Sequence, residues 1–361
     1  MYDSHVDTPS QLIRLRNIGI DNPHAHVDFP KLRKGGVDGS FFALYTPASL
    51  APDAATHYAL EMLSAVYDAV DANPDYAALA FSPKEAARNK ADGLISIFMG
   101  MENGAPIQES LPLLRTFYRL GVSYMTLTHN GDNALADSAA EGRKWGGLSP
   151  FGKQVVAEMN ALGMMIDLSH ASDKTFWDCI RLSQAPVVAT HSCCRALCGH
   201  RRNLTDEMLQ ALGEKDGYVG INFYPAFLSD DFAAAPAAAA LLDEADAVEA
   251  RFIENPADRE RADAWNRMQD RLLEMPRPGV KEVVDHIDHA VRLAGIDHVG
   301  IGTDFDGIQV PPAGLEDVSK LPVLWDEMRR RGYAETDIEK VSGGNLMAVW
   351  RKIVKCSELA D

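Results

Sequence analysis

The tripeptide HVD occurs twice near the start of the chain: in MYDSHVDTPS (residues 1–10, with His5 and Asp7) and in HAHVDFPKLRKGG (residues 24–36, with His26 and Asp28). Side chains two apart on a strand share a face, so either copy could offer an imidazole and a carboxylate to one metal ion. Which copy ends a strand decides the strand count, and with it the fold. A parallel crossover, helix included, needs about a dozen residues or more. Only eleven residues, FPKLRKGGVDG, separate Asp28 from Ser40, and they include one proline and three glycines. Thirty-two separate Asp7 from Ser40. The first copy therefore ends the first strand, and the second falls in the crossover. His24 and His26 read as surface or packing residues.

Downstream, short apolar runs alternate with helical patterns. Strands are predicted over 37–47, 93–104, 122–130, 164–170, 185–192, 218–224 and 297–307. Helices are predicted over 57–72, 110–121, 149–163, 173–183, 205–213, 280–295 and 335–354. Ser149 and Pro150 form a helix start, and Gly121 and Gly163 form stops. With YDSHV as the first strand the count is eight, and regular β/α alternation at that count predicts a (β/α)8 TIM-type barrel. Residues 226–280, alanine-rich and then charge-rich, break the rhythm after the seventh strand and read as a helical insertion. The whole of 1–361 reads as a single domain, a metal-dependent hydrolase barrel.

The formal net charge of −17 argues against nucleic-acid or anionic-membrane partners. No apolar run approaches the ~20 residues of a membrane span, so no membrane anchor is visible. No signal peptide is visible either, and the chain reads as cytoplasmic; a leader already removed stays open. Cys193, Cys194, Cys198 and His200 resemble a zinc knuckle only loosely, because adjacent cysteines fit the usual ligand spacing badly. They read as small packed thiols.

Barrel active sites lie at the carboxyl ends of the strands. Six predicted strand ends carry a metal-ligating residue type: His5 and Asp7 after the first, Glu102 after the third, His129 after the fourth, His170 after the fifth, His191 after the sixth, Asp304 after the eighth. One such residue is unremarkable. Six strand ends together are not, because charges do not collect over a barrel mouth uncompensated. Imidazole with carboxylate suits zinc and related divalent ions, and the set is large enough for two ions with one bridging carboxylate.

The segments SHVDTP, VDFPKLRKGGVDGSFFALYTP, MEN, TLTHN, GLSPFGKQVVAEMNALGMMIDLSH, APVVATHS, HRRNLTDEMLQ and VVDHIDHAVRLAGIDHVGIGTDFDG resemble the renal (membrane) dipeptidase family, the M19 metallopeptidases of the amidohydrolase superfamily. The resemblance runs over nearly the whole chain. It implies a metallodipeptidase with two zinc ions, His5 and Asp7 holding one, His170 and His191 the other, and Glu102 between them. It also implies that His129 stabilises the oxyanion, that Asp304 handles the proton of the bridging water, and that Arg202, the arginine directly before Asn203, receives the substrate carboxylate. Tyr224 is a further substrate-binding candidate. The nucleophile implied is a metal-bridging hydroxide, formed near neutral pH. The substrates implied are dipeptides, including those with a D-amino acid at the C-terminal position. Two other readings remain: a different amidohydrolase acting on N-acyl amino acids, small amides or lactones, and a metal-binding protein without turnover. His129 and Asp304 argue against the last, since a metal holder needs neither. The oligomeric state stays open, with a homodimer among the candidates.

Overall fold

The computed structural model describes residues 1–140 and 143–357. Its strands are β1 (Tyr2–Val6), β2 (Gly39–Tyr45), β3 (Ala77–Leu79), β4 (Ile95–Glu102), β5 (Val122–Thr126), β6 (Met165–Asp167), β7 (Val188–Ser192), β8 (Tyr218–Ile221) and β9 (Val299–Ile301). Eight of them pair in parallel in the order β1-β2-β4-β5-β6-β7-β8-β9. β3 stands off this path and pairs with the first part of β4 (Ala77 to Ile95, Leu79 to Ile97), ahead of where β5 takes over at Met99. The ring closes between β1 and the segment after β9. Val6 bridges Phe305 in parallel, Asp7 N donates to Phe305 O at 2.8 Å, and Asp304 N donates to His5 O at 3.0 Å. The eight-stranded barrel expected from the sequence is present, and its seam joins the HVD and TDFD motifs.

Strands covered on both faces read as continuous apolar runs rather than alternating ones. All eight residues of β4, ISIFMGME, are buried. Ser82, Ser110, Ser149, Ser172 and Thr205 each accept a backbone N–H in the first turn of the helix that follows, which satisfies a donor the helix cannot. Gly163 ends Pro150–Leu162 in the left-handed conformation, φ 72°. At the amino end of the barrel, Phe41, Phe98, Tyr124 and Tyr218 pack with Trp350 of the helix Asn345–Lys355. The Trp350 ring lies 5.3 Å from Phe41 and 5.2 Å from Phe98. That end is plugged, so the open end is the carboxyl one.

Five elements depart from the sequence expectations. The predicted helix over 335–354 is interrupted: Glu335–Glu339 and Asn345–Lys355 flank a π-type turn in which Gly343 has φ 126°. A Cβ at Gly343 would meet the backbone of Tyr2 at 2.5 Å, so this close approach requires glycine and seats β1 on the turn. The helix predicted from 57 starts at Pro52. Between β2 and β4 the chain also forms β3 and the helix Pro83–Ala91, where the sequence reading placed one helix. Leu321–Arg330 is a further helix. The crossover before β2 holds two short helices, Thr8–Leu12 and Phe29–Lys34, the second with Asp28 accepting from Lys31 N as its cap.

The break after β8 consists of Pro225–Leu228, Asp230–Ala233, Pro236–Glu254 and Arg259–Glu274. The last two pack on each other around Trp265, Met268 and Leu272, with Val310 from the loop after β9. Among the described residues no helix is long and apolar enough to cross a membrane.

Gly100 of β4 leaves room for the ring of Tyr124. A Cβ there would fall 2.1–2.4 Å from three ring atoms. Gly100→Ala is expected to destabilise the fold by about 1–3 kcal/mol through overpacking, seen as a lower midpoint of urea unfolding. An unchanged midpoint would mean the ring shifts freely, against the packing described.

Candidate metal centre

Each buried imidazole at the open end is oriented by the nitrogen that faces away from the centre. His5 Nδ1 lies 2.7 Å from the Tyr124 hydroxyl, His191 Nδ1 lies 2.9 Å from Thr190 Oγ1, and His170 Nδ1 lies 3.1 Å from Asn130 Oδ1. Their Nε2 atoms then converge on Glu102. One carboxylate oxygen, Oε2, is 3.5 Å from His5 Nε2; the other, Oε1, is 3.1 Å from His170 Nε2 and 3.4 Å from His191 Nε2. Asp7 Oδ2 approaches the same His5 nitrogen at 3.3 Å. The two oxygens of Glu102 thus face two separate donor groups, His5 with Asp7 and His170 with His191.

These residues fit metal ions by their own chemistry. Among the described residues, His5 Nε2, Asp7 Oδ1 and His191 Nε2 are buried with no hydrogen-bond partner, which is costly unless something else occupies them. Burial first, and then the neighbouring Glu102 carboxylate, pushes the Asp7 pKa well above the usual range. Burial would raise Glu102 too, but the three imidazoles outweigh it and hold its carboxyl well below the usual range. Imidazole nitrogens with carboxylate oxygens are a donor set for zinc-like divalent ions.

His129 stands farther back. Its ring is 4.3 Å from His170 and 4.7 Å from Tyr45, and among the described residues no carboxylate comes within ion-pair distance of it. Its ligand atoms do fall within 4.8 Å of those of Glu102 and His170. Burial lowers its pKa, with Glu102 opposing and Arg202 assisting, so the ring is neutral at neutral pH.

Asp304 sits in the left-handed region, φ 61°, in a turn that points its carboxylate back at the seam. Asn222 Nδ2 donates to its Oδ2 at 2.8 Å. Ligand atoms of Asp304, His5 and Asp7 lie within 4.8 Å of one another. A Cβ on Gly307 would strike Asp7 Oδ2 at 2.1 Å and Asp304 Oδ1 at 2.6 Å, so the glycine of TDFDG is what lets the two carboxylates approach.

A cavity of about 310 Å³ opens above these groups, lined among others by Tyr45, His129, Tyr224, Phe227 and Asp304. The insertion supplies part of its wall, where Arg14 Nη1 meets Glu249 Oε1 at 2.9 Å. Tyr224 lies edge-on to Phe227, and burial raises its pKa to about 12. Arg202 lies behind Phe227, 5.4 Å from the ring centroid. It is 5% exposed; its Nη2 donates to His191 O at 3.2 Å, and its Nε has no hydrogen-bond partner among the described residues. Burial lowers its pKa to about 10, with Asp304 and Glu102 partly offsetting. Arg201 is exposed.

The second HVD copy is elsewhere. His26 Nδ1 accepts from Asp306 N at 3.0 Å and so braces the loop carrying Asp304, while His24 pairs with Asp270 at 3.2 Å. The thiols of Cys193, Cys194 and Cys198 donate to three different carbonyls, those of Asn222, His286 and Ala226, and do not converge on a point. Tyr45, Tyr124, Asn130, Thr190 and Asn222 were not singled out from sequence. Tyr45 and Asn222 have the same signal as the others, a position at or just past a strand end. Tyr124 and Thr190 have none, because they lie inside strands.

The family model for membrane dipeptidases (peptidase family M19) matches residues 1–360. The dipeptidase aclJ of Aspergillus oryzae is 35% identical over 338 residues, covering 91% of this chain and 70% of that protein. Among solved structures, the probable dipeptidase PvdM of Pseudomonas aeruginosa superposes with a TM-score of 0.83 at 30% identity, covering 99% of this chain and 96% of that one. A metallopeptidase from Rhodobacter sphaeroides, solved with a phosphinate mimic of the dipeptide L-Ala-D-Ala, gives 0.80 at 28% identity and 98% coverage of both chains. The fold is thus shared with a probable dipeptidase and with a metallopeptidase solved with a dipeptide mimic. The chain belongs to the membrane dipeptidase family, peptidase family M19.

Glu102→Ala is expected to strip metal from both halves of the cluster, measured as ions per chain by mass spectrometry; full retention would show that Glu102 is not shared. His5→Ala is expected to lose metal and activity, and His26→Ala to keep its metal. The reverse order would place the site at the second HVD copy.

Proposed function

We propose that this chain is a dipeptidase of 1–361 built as one hydrolase barrel, working with two divalent ions, most fittingly zinc. His5 and Asp7 would hold one ion, His170 and His191 the other, with Glu102 shared. The observation that carries this is the division of the Glu102 oxygens between two donor groups whose facing nitrogens, His5 Nε2 and His191 Nε2, have no hydrogen-bond partner among the described residues. When bound, such ions polarise a peptide carbonyl and bring the pKa of water down towards neutrality.

The remaining work falls to side chains. Neutral His129, at the cavity wall, can donate an N–H to the oxygen of the scissile carbonyl as negative charge builds there, a contribution of roughly 3 kcal/mol by comparison with other oxyanion donors. Asp304 can take the proton of the attacking water on Oδ1, since Oδ2 already accepts from Asn222. It can then pass that proton to the leaving amine. Tyr224 contributes a polar tip on an apolar wall. Arg202 is the counterpart of the substrate's charge: a buried guanidinium that, among the described residues, has no carboxylate in ion-pair contact. Buried charges are ordinarily paired, and a free C-terminal carboxylate would supply the partner. This favours dipeptides over amides and lactones that lack one, and the relative solved with a mimic of L-Ala-D-Ala supports including a D-residue at the C-terminal position.

Removing the ions with a chelator is expected to abolish dipeptide hydrolysis, and added zinc to restore it; full activity in the metal-free protein would refute the mechanism. Arg202→Ala removes a charge-assisted contact worth roughly 1.5–3 kcal/mol. On a dipeptide, kcat/KM should fall at least about tenfold, mainly through KM. On the corresponding dipeptide amide the wild type should already be poor and the mutant little worse. Equal losses on both substrates would favour the wider amidohydrolase reading.

A further inference from the structure

The DLSH stretch that ends in His170 begins with Asp167, a carboxylate that the chemistry above leaves unused. Asp167 is the last residue of β6 and is wholly buried. Four donors converge on it. Its Oδ1 accepts from Thr190 N at 2.8 Å and Ser169 N at 3.1 Å; its Oδ2 accepts from Thr126 Oγ1 at 2.6 Å and Thr190 Oγ1 at 2.7 Å.

The Thr190 hydroxyl has one proton, and here Asp167 takes it. Its oxygen therefore meets His191 Nδ1, 2.9 Å away, as an acceptor. His191 must then carry its ring proton on Nδ1, which leaves the lone pair on Nε2, the buried nitrogen that faces Glu102 at 3.4 Å. That is the tautomer a metal ligand needs. Ser169 Oγ completes the arrangement by accepting His191 N at 3.0 Å, and stands 3.5 Å from Thr190 Oγ1.

We propose that Asp167 and Thr190 are positioning residues that hold His191 in its metal-binding tautomer through the buried chain Asp167–Thr190–His191. The proposal rests on reading His191 as a ligand in a two-ion centre.

The near-isosteric Asp167→Asn tests it. Two backbone N–H groups fix the amide oxygen at the Oδ1 position, so the NH2 group must occupy the Oδ2 position and donate to Thr190 Oγ1. Thr190 then turns its proton to His191 Nδ1, nearer than Ser169 Oγ, and the ring proton moves to Nε2. One of the two ions should become roughly 10–100-fold easier to withdraw with a competing chelator, the usual effect of losing such a partner. The ion beside His5 and Asp7 should stay. Imidazole 15N spectra should show His191 protonated at Nδ1 in the wild type and at Nε2 in the mutant. Thr190→Val should weaken the same ion, and Thr190→Ser, which keeps the hydroxyl, should retain it; this pair decides the matter should Asp167→Asn fail to fold. Wild-type-like chelator curves for both Asp167→Asn and Thr190→Val would overturn the relay and leave the ion centre standing. A wild type that binds no ion at His170 and His191 would overturn the centre itself, and the relay with it.

Discussion

Carboxylates taken out of water lose their hydration, and carboxylates brought together repel. Asp7, Glu102 and Asp304 meet at the open end of the barrel with both penalties in force, and burial and mutual repulsion appear in the raised pKa of Asp7. Much of the surrounding structure serves to make this grouping tolerable. Imidazoles are aimed inward by Tyr124, Thr190 and Asn130; Gly307 gives up its side chain so that two carboxylates can approach; Asn222 takes one oxygen of Asp304. A pair of divalent cations would balance the charge that these contacts leave over.

The same site closes the barrel. The first strand and the loop after the last are joined by Val6–Phe305 and by hydrogen bonds on His5 and Asp7 themselves, so the seam and the cluster form together. At the other end, Trp350 and its aromatic neighbours plug the barrel, and Tyr124 links the two levels, packed on Gly100 below and hydrogen-bonded to His5 above. Packing in the interior thereby reaches the orientation of a ligand ring.

Much of this was legible in the sequence. Parallel strands buried on both faces are continuous apolar runs, and the residues just beyond them are where barrel chemistry lies, so His5, Asp7, Glu102, His129, His170, His191 and Asp304 could be named from position alone. Crossover length was enough to separate His5 from His26. What could not be read were contacts made across the barrel. Tyr124 and Thr190 look like ordinary strand residues, and only the three-dimensional pairing shows which nitrogen each one meets. β3 is three residues long, too short to show a period, and the kink at Gly343 answers to Tyr2, more than three hundred residues away. Arg202 was distinguishable from Arg201 by the family resemblance; its burial without a carboxylate partner among the described residues gives an independent physical reason for the same choice.

The shared role of Glu102 is the central claim, and anomalous X-ray diffraction at the zinc edge tests it most directly. Crystals of the zinc-loaded protein should show two anomalous peaks on either side of the Glu102 carboxylate, one beside His5 and Asp7, the other beside His170 and His191. A single peak, or peaks away from these side chains, would contradict it.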